Sequence, residues 1–77
     1  GRDQLVAQQT QARALTIAAS IAERRYASGV SSYLEVLKAE QSLFNAQLNL
    51  VAVEQQYLSA TVQLYKALGG SWDGVAK

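Results

Sequence analysis

Apolar residues recur every three or four positions along most of the chain, a spacing that places them on one face of an α-helix. In the second half, such a stripe begins at Val36 and is apolar at all ten of its positions. Large and small residues mostly alternate along it, which is typical of a coiled-coil seam where two helices approach closely. This first stripe comprises Val36, Ala39, Leu43, Ala46, Leu50, Val53, Tyr57, Ala60, Leu64 and Ala67.

Two glycine clusters interrupt the helical pattern. Gly29 lies among serines, and Gly69-Gly70 precedes another serine. Glycine readily adopts the left-handed backbone that ends a helix, and serine favours the N-cap of the next one. The sequence therefore predicts an all-α fold, an antiparallel helical hairpin of the coiled-coil type. Its expected parts, within a single unit over 1–77, are a helix over about 3–27, a turn over about 28–32, a helix over about 33–68 and a frayed tail over 69–77.

The start of the second helix carries a capping signal. Ser32, or Ser31 beside it, is the expected N-cap, and Glu35 lies three residues after Ser32, as in a capping box. Glu35 and Lys38 are one helical turn apart, so we expect them to form an exposed ion pair. Local side chains should thus fix where the second helix begins.

A second apolar stripe runs along the same helix, with eight apolar residues at ten positions. A helix with two such stripes has two sets of neighbours, and a solitary hairpin provides only one of them. The second stripe must therefore meet another hairpin, in a bundle or in a ring of helices, and the chain alone should self-associate. This stripe comprises Leu34, Leu37, Gln41, Phe44, Leu48, Val51, Gln55, Leu58, Val62 and Tyr65.

The remaining face of this helix is polar, yet it is nearly uncharged in its middle. Such a face is either an ordinary solvated surface or the lining of a water-filled passage, and the pattern fits both interpretations. It comprises Glu35, Lys38, Ser42, Asn45, Asn49, Ala52, Gln56, Ser59, Gln63 and Lys66.

The 77 residues are 49% apolar and 17% charged, and they include no Pro, Cys or Met. This composition excludes a collagen, a disulfide scaffold and a charged disordered tail, and it favours helix. A chain of this size buries only about 60% of the surface that its unfolded form exposes, so an independent core is marginal. The second predicted helix outreaches the first and leaves apolar residues near 58–68 without a partner. We therefore expect a segment of a larger, oligomeric protein.

The charges and reactive side chains argue against chemistry. Seven Lys and Arg against six Asp and Glu give a net charge of +1, which implies no general attraction to nucleic acid. The sequence has no His or Cys, so a Cys nucleophile, a His base and a thiolate metal site are excluded. We expect no enzyme activity, no catalytic residue, no metal site, no cofactor and no nucleic-acid partner.

Three motifs in the chain occur together in one known family. Residues 25–37 read RYASGVSSYLEVL, residues 42–48 read SLFNAQL, and residues 63–72 read QLYKALGGSW. In this order and at this spacing they resemble the C-terminal part of TolC-type outer membrane efflux proteins, the outer membrane factors of resistance-nodulation-division pumps. The resemblance is specific, because three separate motifs fall in register between about Arg24 and Trp72.

The resemblance implies a trimeric duct, with an outer-membrane β-barrel and a long periplasmic α-barrel whose hairpins taper to a closed tip. The chain would be a periplasmic tip hairpin of such a homotrimer, located in the outer membrane of a Gram-negative bacterium. It would act as an exit conduit and as a docking surface for the periplasmic adaptor (membrane fusion) protein. That adaptor would connect it to an inner-membrane pump.

The family pattern also implies roles for residues around the turn. The residues expected to contact the adaptor are Tyr26, Gly29, Val30 and Ser31. Those expected near the constricting aperture are Leu34, Glu35 and Lys38. Lys38 stands where the family often has Asp, and Ser31 replaces a basic residue of some relatives. The ring of acidic residues at the aperture of some relatives therefore cannot be carried over to Lys38, and a locking ion pair is not expected at Ser31. We expect a mixed ring of Glu35 and Lys38 at the aperture instead.

Two alternative functions stay open. One is a generic self-associating coiled-coil module, which would need neither an uncharged polar face nor a Gly-Gly-Ser-Trp ending. The other is a hairpin of the periplasmic adaptor itself, which the LYKALGG sequence disfavours.

Overall fold

The computed structural model describes residues 1–69, and these form two long α-helices joined by a short turn. Helix α1 spans Arg2–Ala27 and helix α2 spans Tyr33–Ala67. The two helices run antiparallel and pack side by side, in a body 61 Å long, 22 Å wide and 14 Å deep. The predicted fold class, an all-α helical hairpin, is confirmed. The expected frayed tail falls outside the described residues from residue 70 onward.

The fully buried part of the interface between α1 and α2 consists mostly of alanine. The buried residues among 1–69 are four alanines and one valine, and small side chains of this kind let two helix backbones approach closely. Larger residues of the first stripe, such as Leu43 and Leu50, are half-buried. The first stripe is thus the side of α2 that faces α1. The buried residues are Ala12, Ala19, Ala22, Val36 and Ala46.

The turn owes its shape to Gly29. The Gly29 amide donates a hydrogen bond to the Tyr26 carbonyl at 2.9 Å, and the Val30 amide donates one to the Arg25 carbonyl at 2.9 Å. This pair of bonds is the Schellman motif, which requires a left-handed residue just after the helix end. Gly29 supplies it with φ of 77°. The motif ends α1 and reverses the chain toward α2.

The start of α2 differs from the expectation in one respect. Ser32 is the N-cap residue, with an extended backbone, but its side chain makes no capping hydrogen bond. Instead the Glu35 amide donates to the Ser32 carbonyl at 3.2 Å. The capping box predicted for Ser32 and Glu35 is therefore wrong, because the Glu35 carboxylate is turned toward Arg25 of α1.

Helix α2 extends well past the start of α1. The helices have 35 and 26 residues, which correspond to about 52 Å and about 39 Å at 1.5 Å per residue. Gly1 lies beside Tyr57 and Leu64, where it shares a shallow depression with them. From Tyr57 onward the first stripe is therefore mostly exposed, and α1 covers it only from Val36 to about Val53.

Candidate functional site

The turn end of the hairpin brings together the four residues expected to dock a partner. Tyr26, in the last turn of α1, packs against Tyr33 in the first turn of α2 in a tilted arrangement, with ring centroids 5.0 Å apart and planes inclined by 59°. Val30 is at the extreme end and is 63% exposed. The Ser31 hydroxyl oxygen is buried and has no hydrogen-bond partner. The turn end thus exposes one aliphatic and two aromatic side chains among the serines of the turn.

The three residues expected near the aperture lie in the first two turns of α2. Leu34, Glu35 and Lys38 are all exposed. The Glu35 carboxylate lies 3.6 Å from Nε of Arg25, across the interface between the helices. Within residues 1–69 it pairs with Arg25 rather than with Lys38, so the ion pair expected between Glu35 and Lys38 is wrong.

Arg25 and Tyr33 are the residues at this end that sequence reasoning missed. Arg25 and Glu35 each lie five positions from Val30, on opposite sides of the turn. In an antiparallel hairpin, residues at equal distances from the turn lie opposite one another. Counting outward from the turn would have found this pair, whereas the one-turn spacing on α2 pointed to Lys38.

The Arg25–Glu35 pair should stabilise the hairpin only slightly. Its side chains are 48% and 52% exposed, and half-exposed pairs contribute about 0.2–1 kcal/mol. We expect a double-mutant cycle with Arg25→Ala and Glu35→Ala to give a coupling free energy in this range at low salt. The coupling should fall toward zero at 1 M salt, where the screening length is about 3 Å. Chemical denaturation of the four proteins measures it, and a salt-independent coupling would contradict this interpretation.

The second stripe of α2 is exposed from Leu34 to Leu58, where its large side chains are between 48% and 64% exposed. Further along, Val62 is half-buried and Tyr65 is 46% exposed. Neighbouring members of the two stripes are one or two residues apart in sequence, which at 3.6 residues per turn puts them about 100° or 160° apart. Helix α2 therefore has α1 on one side and an uncovered apolar surface on nearly the opposite side. The residues concerned are Leu34, Leu37, Phe44, Leu48, Val51 and Leu58.

Helix α1 repeats this arrangement more weakly. Ile17 and Ile21 are 56% and 44% exposed and lie away from the alanine interface. Both helices thus present apolar surface outward, at the two lateral edges of the hairpin. Exposed apolar surface of this extent is typical of a protein that packs against further copies or partners.

Residues 1–69 contain no group of His, Cys, Asp or Glu side chains that would hold a metal ion. Neither α1 nor α2 is long and apolar enough to cross a membrane.

Comparison with known proteins gives a consistent result. The sequence model of the family described as outer membrane efflux protein matches residues 1–70. The chain is 49% identical over 53 residues to the solvent efflux pump outer membrane protein SrpC of Pseudomonas putida. The matched segment covers 69% of this chain and 11% of that protein. It is 46% identical over 56 residues to the pyoverdine export outer membrane protein OpmQ of Pseudomonas putida (73% and 12% covered).

A third relative is the antibiotic efflux pump outer membrane protein ArpC of Pseudomonas putida, 48% identical over 52 residues (68% and 11% covered). The chain spans about a tenth of the length of these curated relatives. No solved structure matches it.

Proposed function

The chain belongs to the outer membrane efflux protein family, and from this premise we propose that it is a periplasmic tip hairpin of a trimeric efflux duct in the outer membrane of a Gram-negative bacterium. The observation that carries the proposal is the pair of apolar stripes on opposite sides of α2. One packs on α1, and the other is exposed with large side chains such as Phe44 and Leu48.

Two opposite contact surfaces per helix are what the wall of a helical barrel requires. A helix in a compact bundle turns one broad apolar face inward, whereas a helix in a wall has one neighbour on its left and one on its right. In the hairpin, α1 is one neighbour of α2, and the second stripe would meet the next hairpin. In a trimer with a three-fold axis, the contact between the second stripe and the next hairpin would be repeated in each copy and would close the wall.

The turn end suits docking to a periplasmic adaptor protein. Val30 and the two packed tyrosines expose apolar surface. The backbone of the turn is held in place by the two hydrogen bonds of the Schellman motif. Because the turn already has a defined shape, little conformational entropy is lost when a partner binds to it. We assign adaptor contact to Tyr26, Gly29, Val30 and Ser31, and through that adaptor a connection to an inner-membrane pump.

The aperture assignment keeps Leu34, Glu35 and Lys38 but changes how their charges combine. Arg25 already offsets the Glu35 carboxylate within the same hairpin. Lys38 lies one turn further along α2 and is exposed. In a ring of three hairpins, each Lys38 would need the carboxylate of a neighbouring copy, and Glu35 is the nearest carboxylate on the same side of α2.

The names of the relatives mention solvents, toluene, pyoverdine and antibiotics as exported compounds. These names differ from one another although the matched segments are similarly close to this chain. The tip hairpin therefore carries a common conduit and docking role rather than a preference for one exported compound.

Crosslinking tests the proposal in the full-length protein. With Cys in place of Lys38, in a background free of other cysteines, a trifunctional maleimide should yield a covalent trimer. The matched control is Glu40→Cys, because Glu40 is only two residues away but lies on a different side of α2. Equal crosslinking at both positions, or dimers without trimers, would contradict the proposal and favour a generic self-associating module.

A further inference from the structure

The Arg25–Glu35 pair identifies which polar surfaces of the two helices share one face of the hairpin. Residues seven apart lie on the same side of an α-helix, because seven residues make almost two full turns. Stepping by sevens from each partner therefore traces the same face along both helices. These steps reach Ala18, Gln11 and Gln4 on α1, and Ser42, Asn49 and Gln56 on α2.

We call this shared polar surface of α1 and α2 the amide face. It carries no charge over most of its length. On α2 it also includes Asn45, Ser59 and Gln63, and all of its α2 members are exposed. Its charged residues on α2 beyond the ion pair are Lys38 near the turn and Lys66 at the far end. These two are separated by about 42 Å of helix at 1.5 Å per residue. The one carboxylate on this face, that of Glu35, is offset by Arg25.

The opposite face of the hairpin has the charges that an ordinary solvated surface has. On α2 it is a narrow stripe between the two apolar stripes, formed by Glu40, Gln47, Glu54 and Thr61. The corresponding stripe of α1 carries Arg2 and Glu23. Between Lys38 and Lys66 the amide face of α2 has no charged residue, whereas the charged stripe has Glu40 and Glu54 over the same length of helix. The middle of the amide face therefore differs from the opposite surface of the same hairpin.

Resting on the proposed function, we infer that the amide face lines the passage and that the charged stripe faces outward. A narrow channel with walls of low dielectric constant concentrates the field of any fixed charge and retains ions of opposite sign. Rapid passage requires that solutes interact with the wall weakly enough to leave again. Amide and hydroxyl side chains keep such a wall hydrated without creating a charged binding site.

Between Lys38 and Lys66, this segment of the duct therefore does not discriminate between cations and anions. Selection by charge on the amide face is confined to its two ends, at Glu35 and Lys38 near the turn and at Lys66.

Ion selectivity of the full-length protein in planar bilayers tests the inference. Gln56→Glu places a carboxylate on the amide face, and Gln47→Glu makes the same chemical change on the charged stripe. We expect Gln56→Glu to raise the permeability ratio of cations to anions about threefold or more, since charges lining a cleft raise local counter-ion concentrations by about tenfold or more. Gln47→Glu should leave the ratio at the wild-type value.

Thiol labelling provides a second measurement if a charged variant does not assemble. In a background free of other cysteines, Asn49→Cys should react with a charged thiol reagent added to the open channel and change its current. Gln47→Cys should leave the current unchanged. The opposite pattern in either experiment, or equal effects at both positions, overturns the inference while the proposed duct stands. A full-length protein that forms no conducting channel overturns the proposed function itself, and the inference with it.

Discussion

Replacing Gly29 by Val is expected to destabilise the hairpin by about 1–2 kcal/mol and to weaken docking of the adaptor in the full-length protein. The cost comes from the backbone, because Gly29 has φ of 77° and an added Cβ would meet no atom within 4 Å. A β-branched residue resists this conformation, so the Schellman turn would reorganise. Chemical denaturation of the chain measures the loss, and efflux in cells that carry the full-length variant measures the docking.

Gly69→Val is the matched control for this experiment. Gly69 has φ of 88° and equally open surroundings, but it lies at the other end of α2. Its replacement should cost a similar backbone strain and leave adaptor docking intact. Normal efflux with Gly29→Val, or equal loss of efflux with both variants, would show that the turn is not the docking point.

Replacing Leu48 by Lys is expected to abolish self-association of the chain while leaving its helices formed. The wild-type chain should associate at tens of micromolar concentration, as pairs of hairpins in a four-helix bundle. Burying one Leu side chain contributes about 1.5–3 kcal/mol, and each copy in the assembly would lose this contribution. A lysine there would also bring an unpaired charge into an apolar contact, which is strongly unfavourable. Sedimentation measures the assembly, and circular dichroism measures the helix content.

Asn45→Lys is the control, since it adds the same charge on the polar surface three residues away. It should assemble as the wild type does. A wild-type chain that is helical and strictly monomeric at these concentrations would contradict the role given to the second stripe. So would a Leu48→Lys variant that assembles normally.

The helices and their contact surface could be predicted because the relevant signals are local. Gly29 follows a helical pattern and precedes serines, which is sufficient to place a turn. The steps of three and four from Val36 identified the side of α2 that packs on α1, since helical geometry is fixed by neighbouring residues. The buried Val36 and Ala46 lie on that stripe.

The charge pairing at the turn end could not be predicted in the same way. Glu35 had two candidate roles on its own helix, a capping box with Ser32 and an ion pair with Lys38, and the structure has neither. Its partner Arg25 lies on the other helix, so the contact depends on the register that the turn imposes between α1 and α2. The burial of the Ser31 hydroxyl oxygen is likewise set by the packing of the two helix ends rather than by adjacent residues.

Alanine makes up most of the fully buried contact between α1 and α2. Alanine methyl groups form low ridges, so a small axial or rotational shift of α2 against α1 separates few atoms that were in van der Waals contact. The outer surfaces carry Phe44, Leu48 and Ile17, whose larger side chains would interlock with their neighbours and resist sliding. When a partner pulls on the turn end, the first displacement should therefore occur inside each hairpin. Neighbouring hairpins would stay in register while each α2 shifts along its own α1.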